Sequence, residues 1–301
     1  MCSCSIISVR PCRLGSGLAD ITTEVLPVRA DDGHGWELLA TIPARPHATL
    51  LWLPAMGVAA KHYRPFAELL AARGVATFVH EWRGHGSSNL RASRRQNWGY
   101  AELLSRDLPA SETAIAERFP DIDRILGGHS LGGQLACCRL ALAPRSADRL
   151  WLVASGAPYW RAFPASTRYW LPIIYRFLPW LADRRGALPG RRIGFAGQEA
   201  RGLIRDWARS ALSGRYAADG LEIDLEHVDL EHAMRNIDID IHAIVMQHDW
   251  LAPSSSLQFL LSKLGRSRAR VDVLDDDALG ARADHFEWIK QPQQVVARLI
   301  R

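Results

Sequence analysis

Long hydrophobic runs are missing from this chain. None of its stretches reaches the roughly 18 apolar residues that a membrane-crossing helix needs. The nearest, YWLPIIYRFLPWL at 169–181, is interrupted by Pro172, Arg176 and Pro179. Cysteine is scarce, with five in 301 residues. Cys2, Cys4 and Cys12 are spaced too irregularly for a zinc site and have no histidine near them. Cys137 and Cys138 are consecutive in a segment that reads as a buried helix, where they fill space. This usage suits a reducing compartment, and a cytoplasmic location is expected. The opening residues MCSCSIISVRPCRLGSG lack a basic segment followed by a continuous apolar one, so no secretory signal is expected and residues 1–20 read as a disordered tail.

A continuous basic stripe is absent too. The net charge of +5 comes largely from arginine, in pairs such as Arg94-Arg95, Arg184-Arg185 and Arg191-Arg192, but acids are interleaved along the chain. That pattern reads as a solvated surface, and no nucleic-acid partner is expected. Metal and phosphate motifs are missing as well. In EHVDLEH, His227 and His232 stand five apart, a poor helical face for one ion, and SLGGQ lacks the lysine of a phosphate loop. No metal and no cofactor are expected.

What is present is a rhythm. Hydrophobic residues make up 48% of the chain, enough for a sizeable core. EVLPVRADDGHGWELLATIPA reads as two strands around a turn at Asp32-Gly33. Short apolar runs then alternate with helical patterns. ATLLWLPA (48–55), VATFVHEW (75–82), DRILGGH (123–129), RLWLVASG (149–156), IHAIVMQH (241–248) and ARVDVLD (269–275) are the strands. Helices are expected at 63–74, 100–119 with a kink or break at Pro109, 131–143, 253–265 and 286–300. The alternation lapses between 157 and 236, a stretch rich in Trp, Tyr, Pro and Arg with no clear strand. The expected organisation is therefore a core at 21–156 and 237–301 with an insertion at 157–236. Strand–helix alternation implies a mostly parallel sheet flanked by helices, and function collects at the carboxyl ends of its strands.

One motif sits at such an end. GHSLG (128–132) matches G-x-S-x-G, after an expected strand and before an expected helix. A tight strand-to-helix turn lifts the serine oxygen clear of the sheet and demands small neighbours. Ser130 needs a base to become nucleophilic, and the order on this architecture is serine, acid, histidine. His285, in RADHFEW, is the only histidine after His248. Asp249 directly follows the strand 241–248, whereas Asp275, Asp276 and Asp277 fall in the next connection and Asp284 adjoins His285. The two backbone N–H groups of an oxyanion hole are expected from Leu131, after the serine, and Met56, after LLWLPA.

These residues carry a likeness. From about residue 25 to 301 the chain resembles the α/β-hydrolase superfamily. EWRGHGSS (81–88) is similar to that family's D-x-R-G-x-G-x-S segment, with Glu81 in place of the aspartate, and Pro54-Ala55-Met56-Gly57 stands where many members have His-Gly. PAMGVAAKHYRPFA, NWGYAELLSRDLP, LPGRRIGF and ADHFEW resemble a subset of predicted bacterial serine hydrolases. The resemblance implies an α/β-hydrolase fold, a Ser130–Asp249–His285 triad, and a helical cap or lid at 157–236. Trp160, Trp170, Trp180 and PIIYRFLP are expected either to give that cap an apolar surface above Ser130, suited to an acyl chain, or to pack the cap on itself. The function expected is a serine hydrolase of a small-molecule carboxylic ester or thioester. An acyltransferase with the same triad and a non-catalytic binding protein on this scaffold are the alternatives.

Overall fold

ATLLWL shows how this chain builds its core. In a strand, successive side chains point to opposite faces, so a run that is apolar throughout needs cover on both sides. All six residues, Ala48–Leu53, are buried. Leu50 and Trp52 pack with Phe66, Leu70 and Trp288 on one face, while Leu51 and Leu53 join Leu126 and Leu135 on the other. A computed structural model describes residues 20–223 and 226–301 of the chain. The expected N-terminal tail, with Cys2, Cys4 and Cys12, lies outside them except for its last residue.

Eight strands form the main sheet: β1 (Ile21–Arg29), β2 (Gly35–Pro43), β3 (Ala48–Leu53), β4 (Val75–Val79), β5 (Asp123–His129), β6 (Arg149–Val153), β7 (Asp240–Met246) and β8 (Arg268–Leu274). Their order is β1-β2-β4-β3-β5-β6-β7-β8. β2 is antiparallel to both its neighbours, and every pair from β4 to β8 is parallel. The carboxyl ends of β3, β5, β6, β7 and β8 therefore share one edge.

Helices α1 (Arg64–Ala71), α2 (Leu108–Arg118), α3 (Leu131–Leu142), α4 (Leu171–Arg185), α5 (Arg201–Ser213), α6 (Ser254–Leu261) and α7 (Gln293–Leu299) fill the connections. α1 and α7 cover one face of the sheet, and α3 and α6 pack into the other core. Pro109 does not break the helical segment that begins at Tyr100. Residues Leu103–Asp107 form a π turn in which the Leu108 N–H donates to the Leu103 carbonyl, and a regular helix resumes with Pro109 in its first turn. The widened π turn is how the chain accommodates a residue with no N–H to continue the ladder while the helix stays unbroken.

The described residues of 157–236 add no strand to the main sheet. α4 and α5 dominate them and pack together through Tyr175 and Trp207, whose rings meet edge to face at 5.1 Å. Two short ladders not expected from the sequence also lie here. Leu188–Pro189 pairs with Gln198–Glu199, and Glu222–Ile223 pairs with Glu226–His227.

Candidate active site

Ser130 stands between β5 and α3 with φ 55° and ψ −119°. A non-glycine residue at positive φ is strained and persists only where its surroundings hold it. Here the Ser130 N–H donates to the Val153 carbonyl, and its own carbonyl accepts from Gly133 and Gln134 in the first turn of α3. The turn is tight enough that a Cβ on Gly132 would lie 2.0 Å from the Leu53 carbonyl oxygen. That explains the small residue on this side of the serine. A serine before a helix usually caps it, accepting a backbone N–H through its hydroxyl. Ser130 makes no such bond, and its side chain lines a cavity of about 690 Å³.

His285 and Asp249 meet at this edge. The His285 ring is buried and donates from Nδ1 to Asp249 Oδ2 at 2.7 Å. Asp249 Oδ1 accepts the Leu251 and Ala252 N–H groups at 2.9 and 2.8 Å. Asp249 is thus both a turn residue, as an aspartate after a strand commonly is, and the partner of a histidine 36 positions later. His285 lines the same cavity as Ser130. Three of the competing acids are engaged elsewhere, and the fourth, Asp277, is exposed. Asp275 caps the short helix that follows it, and Asp276 binds the Ala283 N–H and faces His248. Asp284 accepts from Phe286 and Glu287 N–H groups.

Met56 and Leu131 both line the cavity. Leu131 is the first residue of α3, where N–H groups have no partner within the helix. The loop bearing Met56 is fixed by Tyr63, which the sequence did not single out. Its buried hydroxyl accepts the Ala55 N–H at 3.0 Å and donates to His129 Nδ1 at 2.8 Å. His129 precedes Ser130, and its ring lies 4.8 Å from that of His285. Burial, aided by the charge of His285 and partly offset by its backbone, drives the His129 pKa well down and keeps the ring neutral. A single hydroxyl therefore joins the loop after β3, the turn at Ser130 and the ring beside His285.

The remainder of the cavity wall is mostly apolar. Phe163, Leu171, Ile174, Tyr175 and Trp207 come from the 157–236 segment. Of the three tryptophans expected above Ser130, only Trp170 lines the cavity. Trp160 packs against Tyr159, and Trp180 points outward, 51% exposed. Gln134, one turn into α3, is buried with its Oε1 unpartnered among the described residues and lines the wall as well. Also among the described residues, no group of three His, Cys, Asp or Glu is arranged to hold a metal ion.

A hydrolase family model described as serine aminopeptidase, S33, matches residues 44–212. The chain belongs to this α/β-hydrolase family. No curated protein matches the chain by sequence. Among solved structures, the complex of DcsB with its substrate analogue is 13% identical with a TM-score of 0.62, covering 93% of this chain and 98% of that one. The Pyrococcus furiosus esterase Pf2001 is 14% identical at 0.58, covering 97% and 96%. The thioesterase domain from the curacin biosynthetic pathway is 15% identical at 0.57, covering 93% and 100%. At these identities the likeness is one of fold.

In this hydrolase the EWRGHGSS segment is a brace. Glu81 Oε1 accepts the Ala60 N–H at 3.1 Å, and Arg83 pairs through two nitrogens with buried Asp107 at 2.7 Å. His85 is buried 3.1 Å from the Glu199 carboxylate in the 157–236 segment. Burial lowers the His85 pKa, but the Glu199 bond and charge outweigh it and the net shift is upward. Nearby, a Cβ on Gly57 (φ +79°) would lie 2.4 Å from the Gly197 nitrogen, so the Met56 loop and this segment touch backbone to backbone.

Proposed function

We propose that the chain is a serine hydrolase acting on carboxylic esters or thioesters with an apolar acyl group, through Ser130, His285 and Asp249. Ser130 Oγ attacks the acyl carbon while His285 Nε2 takes its proton, and the Met56 and Leu131 N–H groups receive the oxyanion. The intermediate collapses, and His285 returns the proton to the departing alcohol or thiol. Water, deprotonated by His285, then attacks the acyl-enzyme, releases the carboxylic acid and restores Ser130. Asp249 holds the Nδ1–H tautomer and stabilises the imidazolium formed in each half-reaction.

The observation that carries this reading is the 2.7 Å Asp249–His285 bond at a cavity that also holds the strained, non-capping Ser130. Residues 157–236 serve as the cap, and their apolar side chains set the acyl preference. An aminopeptidase would need a free carboxylate for the substrate's ammonium. The acid on this wall, Asp284, accepts two backbone N–H groups through Oδ1 alone, so the aminoacyl anilides below test whether its second oxygen serves an ammonium.

The test is a series of p-nitrophenyl esters and acyl thioesters from acetyl to dodecanoyl, beside aminoacyl anilides. The expected kcat/KM rises with acyl length until the cavity is filled, Ser130→Ala loses at least about 10⁴-fold, and the anilides are inert. A Ser130→Ala protein at the wild-type rate would remove the mechanism. Preference for the anilides would remove the acyl assignment.

A further inference from the structure

Residues 157–195 hold seven arginines and a single acid, Asp183, so this segment exceeds by itself the chain's net charge of +5. Asp183 is paired with Arg205 at 2.7 Å. Among the described residues none of the seven arginines forms an ion pair. Three of them stack on aromatic rings instead: Arg161 lies 4.9 Å from the centre of Trp160, Arg168 4.8 Å from that of Tyr169, and Arg184 5.4 Å from that of Trp180.

Apolar side chains of the same segment are turned to solvent. α4 buries Leu171, Tyr175, Leu178 and Ala182, leaving an outer stripe of Ile173, Phe177 and Trp180 interleaved with Arg176 and Arg184. Ile173 is 68% exposed and Phe177 44%. The patch continues to the cavity mouth, where Trp170 and exposed Trp250 face each other at 6.3 Å. Contiguous exposed apolar surface of this kind marks an interaction site.

We propose that this face docks on an anionic phospholipid surface, with Ile173, Phe177 and Trp180 entering the boundary between headgroups and acyl chains and the arginines reaching the lipid phosphates. The charge selects the partner. A symmetric dimer through this face would set the same unpaired arginines against themselves. An anionic bilayer offers both hydrocarbon for the stripe and phosphate for its rim. Because the cavity opens on this face, docking turns its mouth toward the lipid.

The proposal does not rest on the ester chemistry and is tested without substrate. The full chain is floated with vesicles of phosphatidylcholine alone or mixed with phosphatidylglycerol, and tryptophan quenching by brominated acyl chains is recorded. Binding is expected with the anionic vesicles only, with quenching, and with release as salt rises. A Phe177→Ser, Trp180→Ser double variant is expected to bind about tenfold more weakly, with an unchanged circular-dichroism melt. The proposal falls if wild type ignores anionic vesicles or if the double variant binds them equally well. It falls as well if wild type sediments as a dimer that the two substitutions dissociate.

Discussion

Ser130 is held at φ 55° by a bond from its N–H to Val153, in a turn that closes on Leu53. That strain is what an exposed nucleophile at the top of a sheet requires, and it distinguishes this serine from an ordinary helix cap. The role of Asp249 is tested by exchange of its charge. Asp249→Asn is expected to lower kcat by about 10³- to 10⁴-fold, because an amide favours the wrong imidazole tautomer. Asp276→Asn, which alters a contact to His248, is expected to change kcat less than about threefold. Steady-state kinetics on one soluble ester checks both. That Ser130, Asp249 and His285 would meet at one sheet edge was legible because each lies in a connection leaving the carboxyl end of a strand, and strands are marked by apolar runs. The pairing of His85 with Glu199 was not, since 114 residues separate the partners and no local pattern joins them. Trp160 and Trp180 were misassigned for a related reason. Aromatic content says that a segment packs and not which way each ring turns: the phase of α4 sends Trp180 outward, and Trp160, in a separate turn before that helix, packs on Tyr159.

Tyr63 links the loop after β3 to the turn at Ser130 through one hydroxyl, and its removal tests whether that link positions the Met56 N–H. Tyr63→Phe leaves the Ala55 N–H and His129 Nδ1 without their partner. A loss in kcat of about 10- to 100-fold with little change in KM is expected. A purely structural role would lower the melting temperature and leave kcat of the folded protein near wild type. α5 offers a second test, in pH. Asp206, buried in that helix, accepts the Tyr100 N–H at 2.8 Å. Burial raises its pKa to about 6, against the lowering effects of that bond and Arg209, and with Asp219 and Glu102 adding to the rise. Its folded pKa therefore lies above the ordinary value of 3.8. The protonated form suits the fold, so its contribution is complete below about pH 4 and lost as pH rises through 6. Thermal melts of Asp206→Asn against wild type are expected to shift in favour of the variant between pH 4 and 7, by on the order of 2 kcal/mol. A constant difference would contradict the shift. The strands of the main sheet were readable as short apolar runs. The π turn before Pro109 was not, because proline signals a constraint and not the way a chain absorbs it.

At the scale of the molecule, parallel strands β3 to β8 bring residues from four connections to one sheet edge, and the 157–236 segment closes over them. The sheet and its flanking helices were legible from alternation alone, and the hydrolase family match over 44–212 agrees with that reading. The shape of the cavity beside Ser130 was not legible. Its wall is assembled from α3, α4, α5 and the loops at Trp250 and Phe286, whose contacts are long-range. Whether this edge is a catalytic site turns on the reactivity of a single oxygen. Mass spectrometry of the folded chain after treatment with a fluorophosphonate measures it directly. One adduct per chain is predicted, on a peptide containing Ser130, absent from Ser130→Ala and slowed by at least about 10³-fold in His285→Ala. A folded wild-type chain that takes up no adduct, or takes it up at another residue, would contradict the assignment of Ser130 as the nucleophile.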